Sequence, residues 1–196
     1  MNFNFTLVTL NFEFLTMPDF NTILTPGDVD NGIINTIIDI PEGSSLKIEY
    51  DREHGLFVLD RVEPNIFPKP VNYGFIPATK DTDGDELDIL MVCHEPIPTG
   101  TLVHGKVIGI FNFEDDGEMD YKIVCVPEDD RNSGDSIRSL DDLGARWKQK
   151  IEFHFAHYKD LKKPGTTKVL GWGDIEEAKK IIHECIARFK EEGFSK

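Results

Sequence analysis

Basic residues, cysteines and long apolar runs are all scarce in this sequence of 196 residues. Its 21 Lys and Arg residues stand against 36 Asp and Glu residues, which gives a formal net charge of −15. A nucleic-acid-binding protein needs a basic surface that displaces counterions from the phosphate backbone. Anionic membranes likewise attract basic surfaces. The acidic excess therefore argues against nucleic acid and membranes as partners.

The cysteines are few and widely separated, at Cys93, Cys125 and Cys185. Their spacing fits neither a zinc site nor a disulfide framework, which favours a reducing, cytoplasmic location. No apolar run approaches the ~20 residues that a membrane-spanning helix requires. With 39% hydrophobic residues, a chain of this length can bury one core, and we expect one domain.

The first residues, 1–16, alternate Phe and Leu with polar residues but lack the basic residues and cleavage site of a signal peptide. A sequence of ordinary globular composition begins at Met17. We interpret residues 1–16 as an N-terminal extension that is not native to the domain, and residues 17–196 as a single domain.

Short apolar segments separated by Gly, Pro and Asp turns dominate the middle of the chain. Their content of Ile, Val and Phe predicts strands at Ile33–Ile40, Ser45–Asp51, Leu56–Val62, Leu87–Val92, Thr101–Phe113 and Met119–Val126. Successive strands without intervening helices predict an antiparallel barrel or sandwich.

Two helices are predicted near the C-terminus. The first follows Ser139, with Asp142 three residues on as a capping-box partner and apolar residues at every fourth position. The second follows Asp174, with Glu177 at the same relative position, and continues to Phe189 with an apolar face. The fold class is therefore mainly β with flanking helices.

Five acidic residues fall within the eight-residue segment Asp81–Asp88. Carboxylates at this density repel one another unless a divalent cation lies among them. The EF-hand template does not fit, because aligning Gly84 with its glycine leaves Thr79 and Leu90 where acidic ligands are required. A plain Asp-Gly turn with solvated acids remains open for this segment taken alone.

A second acidic group, Glu114–Asp120, is predicted at a hairpin tip where an Asp-Gly pair supplies the turn. Lys122 follows Asp120 by two residues, so both side chains lie on one face of a strand. Lys47 and Glu49 repeat this pairing on an earlier strand. Such pairs are often surface ladders, but beside acid-rich loops they suit a site that holds metal ions and an anion together.

Six segments, in the order in which they occur, resemble the soluble family I inorganic pyrophosphatases of prokaryotes. They are Lys47-Ile-Glu49-Tyr, Asp60-Arg61-Val, Pro70-Val-Asn72-Tyr73-Gly74-Phe-Ile-Pro, Asp83-Gly-Asp85-Glu-Leu-Asp88, Asp115 with Asp120-Tyr-Lys122, and His157-Tyr158-Lys159-Asp-Leu. The resemblance implies an OB-like five-stranded β-barrel with two C-terminal helices. It also implies a homo-oligomer, usually a hexamer, that hydrolyses pyrophosphate to two orthophosphates with Mg²⁺.

The resemblance also assigns roles to individual residues. The metal ligands would be Asp83, Asp85, Asp88, Asp115, Asp120 and, directly or through water, Glu49. The phosphates would be held by Lys47, Arg61, Tyr73, Lys122, Tyr158 and Lys159. Asp85 would be the general base for the attacking water. These residue types agree with the chemistry, because Mg²⁺ prefers oxygen ligands and a polyanionic substrate must be neutralised before attack.

Two positions depart from the family pattern. The acid before Ile-Pro is commonly Glu, and here it is Asp39, one methylene shorter. Lys69 stands where a Tyr commonly precedes the Pro-x-Asn-Tyr turn. Two interpretations of Lys69 are open: it faces the site and acts on substrate and product alike, or it points to solvent and pairs with a surface acid.

Two other functions are weighed against an Mg²⁺-dependent diphosphatase. A non-catalytic OB-like module that binds metal ions or another protein would be free to lose any of the five aspartates, yet all are present. An OB-fold nucleic-acid binder needs a basic, aromatic-lined face, which the acidic net charge disfavours. The diphosphatase is therefore the leading prediction.

Overall fold

The computed structural model describes residues 19–133 and 136–194, so the prediction for residues 1–16 lies outside the described residues. The helices are α1 (Phe20–Ile23), α2 (Gly144–His157) and α3 (Ile175–Glu192), with 3₁₀ turns at Val29–Asn31 and Leu140–Leu143. The strands are β1 (Gly27–Asp28), β2 (Ile33–Ile40), β3 (Leu46–Asp51), β4 (Leu56–Val62), β5 (Asn72–Phe75), β6 (Asp88–Met91), β7 (Leu102–Asp115), β8 (Glu118–Met119), β9 (Lys122–Pro127) and β10 (Thr167–Gly173). None of the helices in these ranges combines the length and apolarity that a membrane crossing requires.

Within the described ranges, five strands form a closed ring in the order β2, β5, β6, β9, β7, and β7 pairs back with β2. The mainly β, OB-like fold is therefore confirmed. The expectation of an antiparallel sheet is wrong for one pair in the ring, since β6 and β9 are parallel. The long strand β7 closes the ring, pairing successively with β2, β9 and β10, and a bulge between Val107 and Gly109 bends it.

The predicted strands agree with the structure where the apolar pattern is long. Strands β2 and β4 have the predicted bounds, whereas the predicted strand Met119–Val126 is split into β8 and β9. The sequence did not predict β1, β5 or β10. Strands β1 and β5 have only two and four residues, and β10 contains two glycines, Gly171 and Gly173, that interrupt its alternation.

The two C-terminal helices are confirmed, with one shift at a boundary. Ser139 and Asp142 form the predicted capping box, but on a 3₁₀ turn, and α2 begins only at Gly144. Asp174 caps α3 by accepting a hydrogen bond from the Glu177 backbone at 2.9 Å.

Two apolar clusters connect the helices to the sheet. In one, Ala178, Ile181, Ile182 and Cys185 of α3 pack against strand residues that include Ile89. In the other, Ile151 and Phe155 of α2 pack against three strands. The strand residues are Phe111 and Phe113 of β7, Val124 of β9 and Trp172 of β10. Because each fully buried side chain of this size contributes roughly 1.5–3 kcal/mol, these clusters fix α2 and its C-terminal end against the ring.

A separate two-stranded sheet, β3 with β4, is inserted between ring strands β2 and β5. Its aromatic face contacts the N-terminal segment, since Phe20 packs against Tyr50 and Phe57 with ring centroids 4.9 and 6.1 Å away. The opposite end of the same hairpin carries Lys47 and Arg61, which are register partners. The hairpin is therefore held beside the ring and forms one wall of a cavity.

Candidate active site

One cavity of about 420 Å³ contains all of the residues to which the resemblance assigns a role. Its walls are the β3–β4 hairpin, the acidic loop before β6, the ends of β7 and β9, and the C-terminal end of α2. The predicted residues in its lining are Lys47, Glu49, Arg61, Tyr73, Asp83, Asp85, Asp88, Asp115, Asp120, Lys122, Tyr158 and Lys159.

Lys122 lies at the base of the cavity and is only 1% exposed. Its ammonium is 2.8 Å from the Asp88 carboxylate, 2.7 Å from that of Asp120 and 3.0 Å from the Tyr73 hydroxyl. The Tyr73 hydroxyl donates in turn to Asp88. Burial acts to lower the pKa of Lys122, but Asp120 and Asp88 raise it well above its usual value, so the ammonium stays charged.

The sheet places these groups together by register. Asp88 and Lys122 are direct partners in the parallel pair of β6 and β9, and Asp88 is also paired with Phe75 of β5. The prediction that Asp120 and Lys122 lie on the same side of the chain is confirmed by their 2.7 Å ion pair. The same prediction is confirmed on β3, where Lys47 and Glu49 form a 2.8 Å ion pair.

Asp115 forms a second group at the end of β7. It accepts a hydrogen bond from the Tyr158 hydroxyl at 3.1 Å, and both of its oxygens contact the Lys159 ammonium. Helix α2 ends at His157, immediately before these two residues. The packing of α2 against the ring therefore sets the position of Tyr158 and Lys159 over Asp115.

The acidic loop divides into two sets of side chains. Asp83, Asp85 and Asp88 line the cavity as predicted. Asp81 is buried beneath the loop, where its carboxylate lies 3.7 Å from the Cys185 sulfur and 3.9 Å from the Arg188 guanidinium. The plain solvated turn is therefore wrong for this segment, since four of its five acids line the cavity and the fifth, Asp81, is buried against α3.

Glu86 and Arg52 also line the cavity, and the sequence did not reveal them. Glu86 is 8% exposed and accepts hydrogen bonds from Asn21 at 2.6 Å and from Arg52 at 2.8 Å. Arg52 also donates to Asp85 at 2.5 Å and lies over the Phe194 ring. The only signal for Arg52 was its place just after the Lys47 and Glu49 strand, and Glu86 could not be distinguished from its acidic neighbours.

The carboxylates of the cavity repel one another where no cation intervenes. Burial, together with nearby Asp88 and Asp120, raises the pKa of Asp83 to about 7. Burial likewise raises the pKa of Asp120. Protonation relieves the repulsion, and a divalent cation would relieve it more strongly by holding both groups ionised.

Within residues 19–133 and 136–194, no three acidic, His or Cys side chains converge tightly enough to make a ready-formed metal cluster. The carboxylates turn instead toward Lys122, Lys159 and Arg52. The donors around the cavity are nevertheless carboxylate oxygens, which suits Mg²⁺, because this ion uses few protein ligands and keeps several waters. The donor set therefore fits Mg²⁺.

Asp39, Lys69 and His154 also line the cavity, and the first two are the positions that depart from the family pattern. Asp39 is 8% exposed, and its Oδ1 has no hydrogen-bond partner among the described residues. Burial raises the pKa of Asp39 well above its usual value and lowers that of His154 to about 3. Lys69 faces the cavity, so the interpretation that placed it in solvent is wrong.

Comparisons with known proteins agree with the family resemblance found in the sequence. The profile of the inorganic pyrophosphatase family matches residues 36–190. An inorganic pyrophosphatase of Neisseria meningitidis serogroup B is 60% identical over 90% of this chain and 99% of its own length, and one of Haemophilus influenzae is 61% identical over 89% and 99%. The crystal structure of an inorganic pyrophosphatase from Neisseria gonorrhoeae, 60% identical, superposes with a TM-score of 0.87 over 88% of this chain and 99% of that one.

Proposed function

The chain belongs to the inorganic pyrophosphatase family and hydrolyses inorganic pyrophosphate to two orthophosphates, and we propose that it does so in the cavity described above, with Mg²⁺ as cofactor. The observation that carries this proposal is the convergence of all the predicted ligand and phosphate-binding residues on that cavity. The alternative of a non-catalytic module has no support, because the relatives are named as enzymes.

The acidic side chains would hold the metal ions. These ligands are Asp83, Asp85, Asp88, Asp115 and Asp120, with Glu49 bound directly or through water. When bound, Mg²⁺ supplies positive charge against the phosphoryl oxygens and lowers the pKa of a coordinated water.

The basic side chains bind and orient the substrate. Lys47, Lys122 and Lys159 are each paired with a carboxylate, as is Arg61. The partners of the three lysines, Glu49, Asp120 and Asp115, would hold metal ions, so these ammonium groups would be available for charge-assisted hydrogen bonds with phosphoryl oxygens. Burial raises the pKa of the two phenols, Tyr73 and Tyr158, so they remain protonated and donate hydrogen bonds at any physiological pH.

Asp85 would act as the general base. Its side chain is 71% exposed, and its carboxylate is held by Arg52 at the rim of the cavity. A carboxylate in this position can accept a proton from a water that enters beside the phosphoryl group. Arg52 is fixed by the buried carboxylate of Glu86, so it orients Asp85 without depending on substrate.

Phosphate release from pyrophosphate is expected with Mg²⁺ and should be almost lost when Ca²⁺ replaces it. The larger ion occupies the same carboxylates, but its longer bonds and less acidic water serve hydrolysis poorly. Phosphate release would be measured with each metal, and thermal unfolding would serve as the control for Ca²⁺ binding. Comparable rates with both metals would contradict the proposed chemistry.

We further propose that the chain forms a homo-oligomer. The family resemblance indicates that this oligomer is a hexamer. Large apolar side chains on the surface of the protomer support self-association, since Ile66 is 71% exposed and Phe153 is 63% exposed. Light scattering at micromolar concentration should give a mass several times the 22.3 kDa of the chain. The mass of a single chain would refute this proposal.

We place the protein in the cytoplasm, and its three unpaired cysteines support a reducing compartment. Residues 17–196 would form the single catalytic domain, and residues 1–16 an extension without a catalytic role.

A further inference from the structure

Lys69 is held rigidly between two prolines, Pro68 and Pro70. Its backbone N–H donates to the Ser44 carbonyl at 2.8 Å, and its carbonyl accepts from the Gly43 N–H at 2.9 Å. The neighbouring prolines restrict the backbone on both sides. The Cα of Lys69 therefore has a fixed position in the segment before β5, held against the turn that precedes β3.

The Lys69 ammonium lies among aromatic rings. It is 4.0 Å from the centroid of Tyr73, 5.7 Å from that of Phe155 and 5.9 Å from that of Tyr158. In such contacts the negative face of the ring attracts the cation, and the N–H donors of the cation are not used. The ammonium is thus positioned in the cavity without its donors being used by the rings.

The surroundings of Lys69 differ from those of the other lysines in the cavity. Lys47, Lys122 and Lys159 each form an ion pair of 2.8 Å or less with a carboxylate. In the described part of the chain, the Lys69 ammonium instead lies over aromatic rings, those of Tyr73, Phe155 and Tyr158. An anion can therefore bind to it without first breaking an ion pair.

We propose that Lys69 is a further phosphate-binding residue, whose ammonium donates hydrogen bonds to a phosphoryl oxygen of pyrophosphate and to the product orthophosphate. This inference rests on the proposed function of the cavity. Because the attraction is to the charge of the phosphate rather than to the reacting bond, it acts on substrate, transition state and product alike. Lys69 should therefore set KM and product inhibition more than kcat.

The charge state of Lys69 agrees with a role that depends on an incoming anion. Burial, assisted by nearby Lys47 and Lys122, lowers the pKa of Lys69 to about 7. A bound phosphate would raise the pKa again, so binding takes up a proton. As pH rises through 7, the free enzyme loses this positive charge and its affinity for phosphate falls. The ionisable groups around Lys69 are Lys47, Lys122, Tyr73, Tyr158, His154, Asp39, Asp88 and Asp120.

Lys69→Met is expected to raise KM for Mg²⁺–pyrophosphate by about tenfold and to weaken inhibition by orthophosphate by a similar factor, as for one charge-assisted hydrogen bond. The kcat should change by less than about tenfold. Lys69→Arg keeps the charge and should stay close to the wild type. Lys150→Met is the matched control, because Lys150 is a neighbouring lysine that pairs with Glu42 at 3.4 Å outside the cavity.

Calorimetric binding of inorganic phosphate in the presence of Mg²⁺ gives a readout that does not depend on turnover. Wild-type affinity should fall between about pH 6 and about pH 8, whereas Lys69→Arg should lack the part of this change that comes from deprotonation of Lys69. Lys69→Gln provides a second neutral variant, and circular dichroism checks the folding of each one.

Unchanged KM and phosphate affinity in a folded neutral variant would overturn the inference. A fall in kcat with phosphate affinity unchanged would also overturn it, because Lys69 would then act only by supporting Tyr73. Absence of pyrophosphate hydrolysis in the wild type would instead refute the proposed function, and the phosphate titrations would still decide the role of Lys69.

Discussion

Asp85→Asn is expected to lower kcat by about 10²-fold or more, because general-base assistance contributes typically 10²–10⁴-fold. The amide has the shape of the carboxylate but cannot accept the proton of the attacking water. The side chain is 71% exposed, and its ion pair with Arg52 lies at the rim, so the fold should persist. The loss corresponds to about 2.7 kcal/mol or more of transition-state stabilisation.

Steady-state rates at increasing Mg²⁺ concentration would test this result. Recovery of the rate at high Mg²⁺ would show that Asp85 acts only as a metal ligand, and a near wild-type rate throughout would exclude both roles. Asp141→Asn is a suitable control, since Asp141 is an exposed carboxylate that is paired with Lys148 and lies outside the cavity.

Lys122→Met is expected to abolish most activity and to destabilise the protein. The buried ammonium holds Asp88, Asp120 and Tyr73 together, and removal of one partner of a buried ion pair typically costs about 3–5 kcal/mol. Because both carboxylates retain some access to the cavity, we expect the lower part of this range. The midpoint of thermal unfolding should fall by roughly 10 °C.

Added Mg²⁺ should restore part of the stability lost in Lys122→Met. Divalent cations would take the place of the missing ammonium between Asp88 and Asp120, so they should stabilise the variant more than the wild type. Melting curves with and without Mg²⁺ would measure this difference. Lys168→Met, which removes an exposed lysine 4.0 Å from Glu114, should melt like the wild type. Equal melting of Lys122→Met and the wild type without metal would contradict the prediction.

Local geometry made part of the site predictable. The pairs Lys47 with Glu49 and Asp120 with Lys122 followed from alternation along a strand, and no knowledge of the tertiary fold was needed. The inward turn of Glu86 could not be predicted in this way. Which of several adjacent acids becomes buried depends on Arg52, which approaches from a different strand hairpin.

The fold, like the site, could be predicted only in part from the sequence. Long alternating segments such as β2 were recognised with correct bounds, because their apolar pattern is set by the residues themselves. The short strand β5 and the parallel pairing of β6 with β9 depend on contacts between distant parts of the chain. Likewise, the orientation of Lys69 follows from the anchoring of its backbone to Ser44, which no local pattern encodes.

The parallel pairing of Asp88 with Lys122 has a consequence for the maturation of the enzyme. These two residues come into register only when β9 docks beside β6, a pairing without which the ring stays open. Non-local pairings of this kind form late, because the chain must first lose the entropy of a long intervening loop. A partly folded chain would therefore keep its acidic loop without its central cation. Catalytic competence and closure of the ring should arise in the same kinetic phase of refolding.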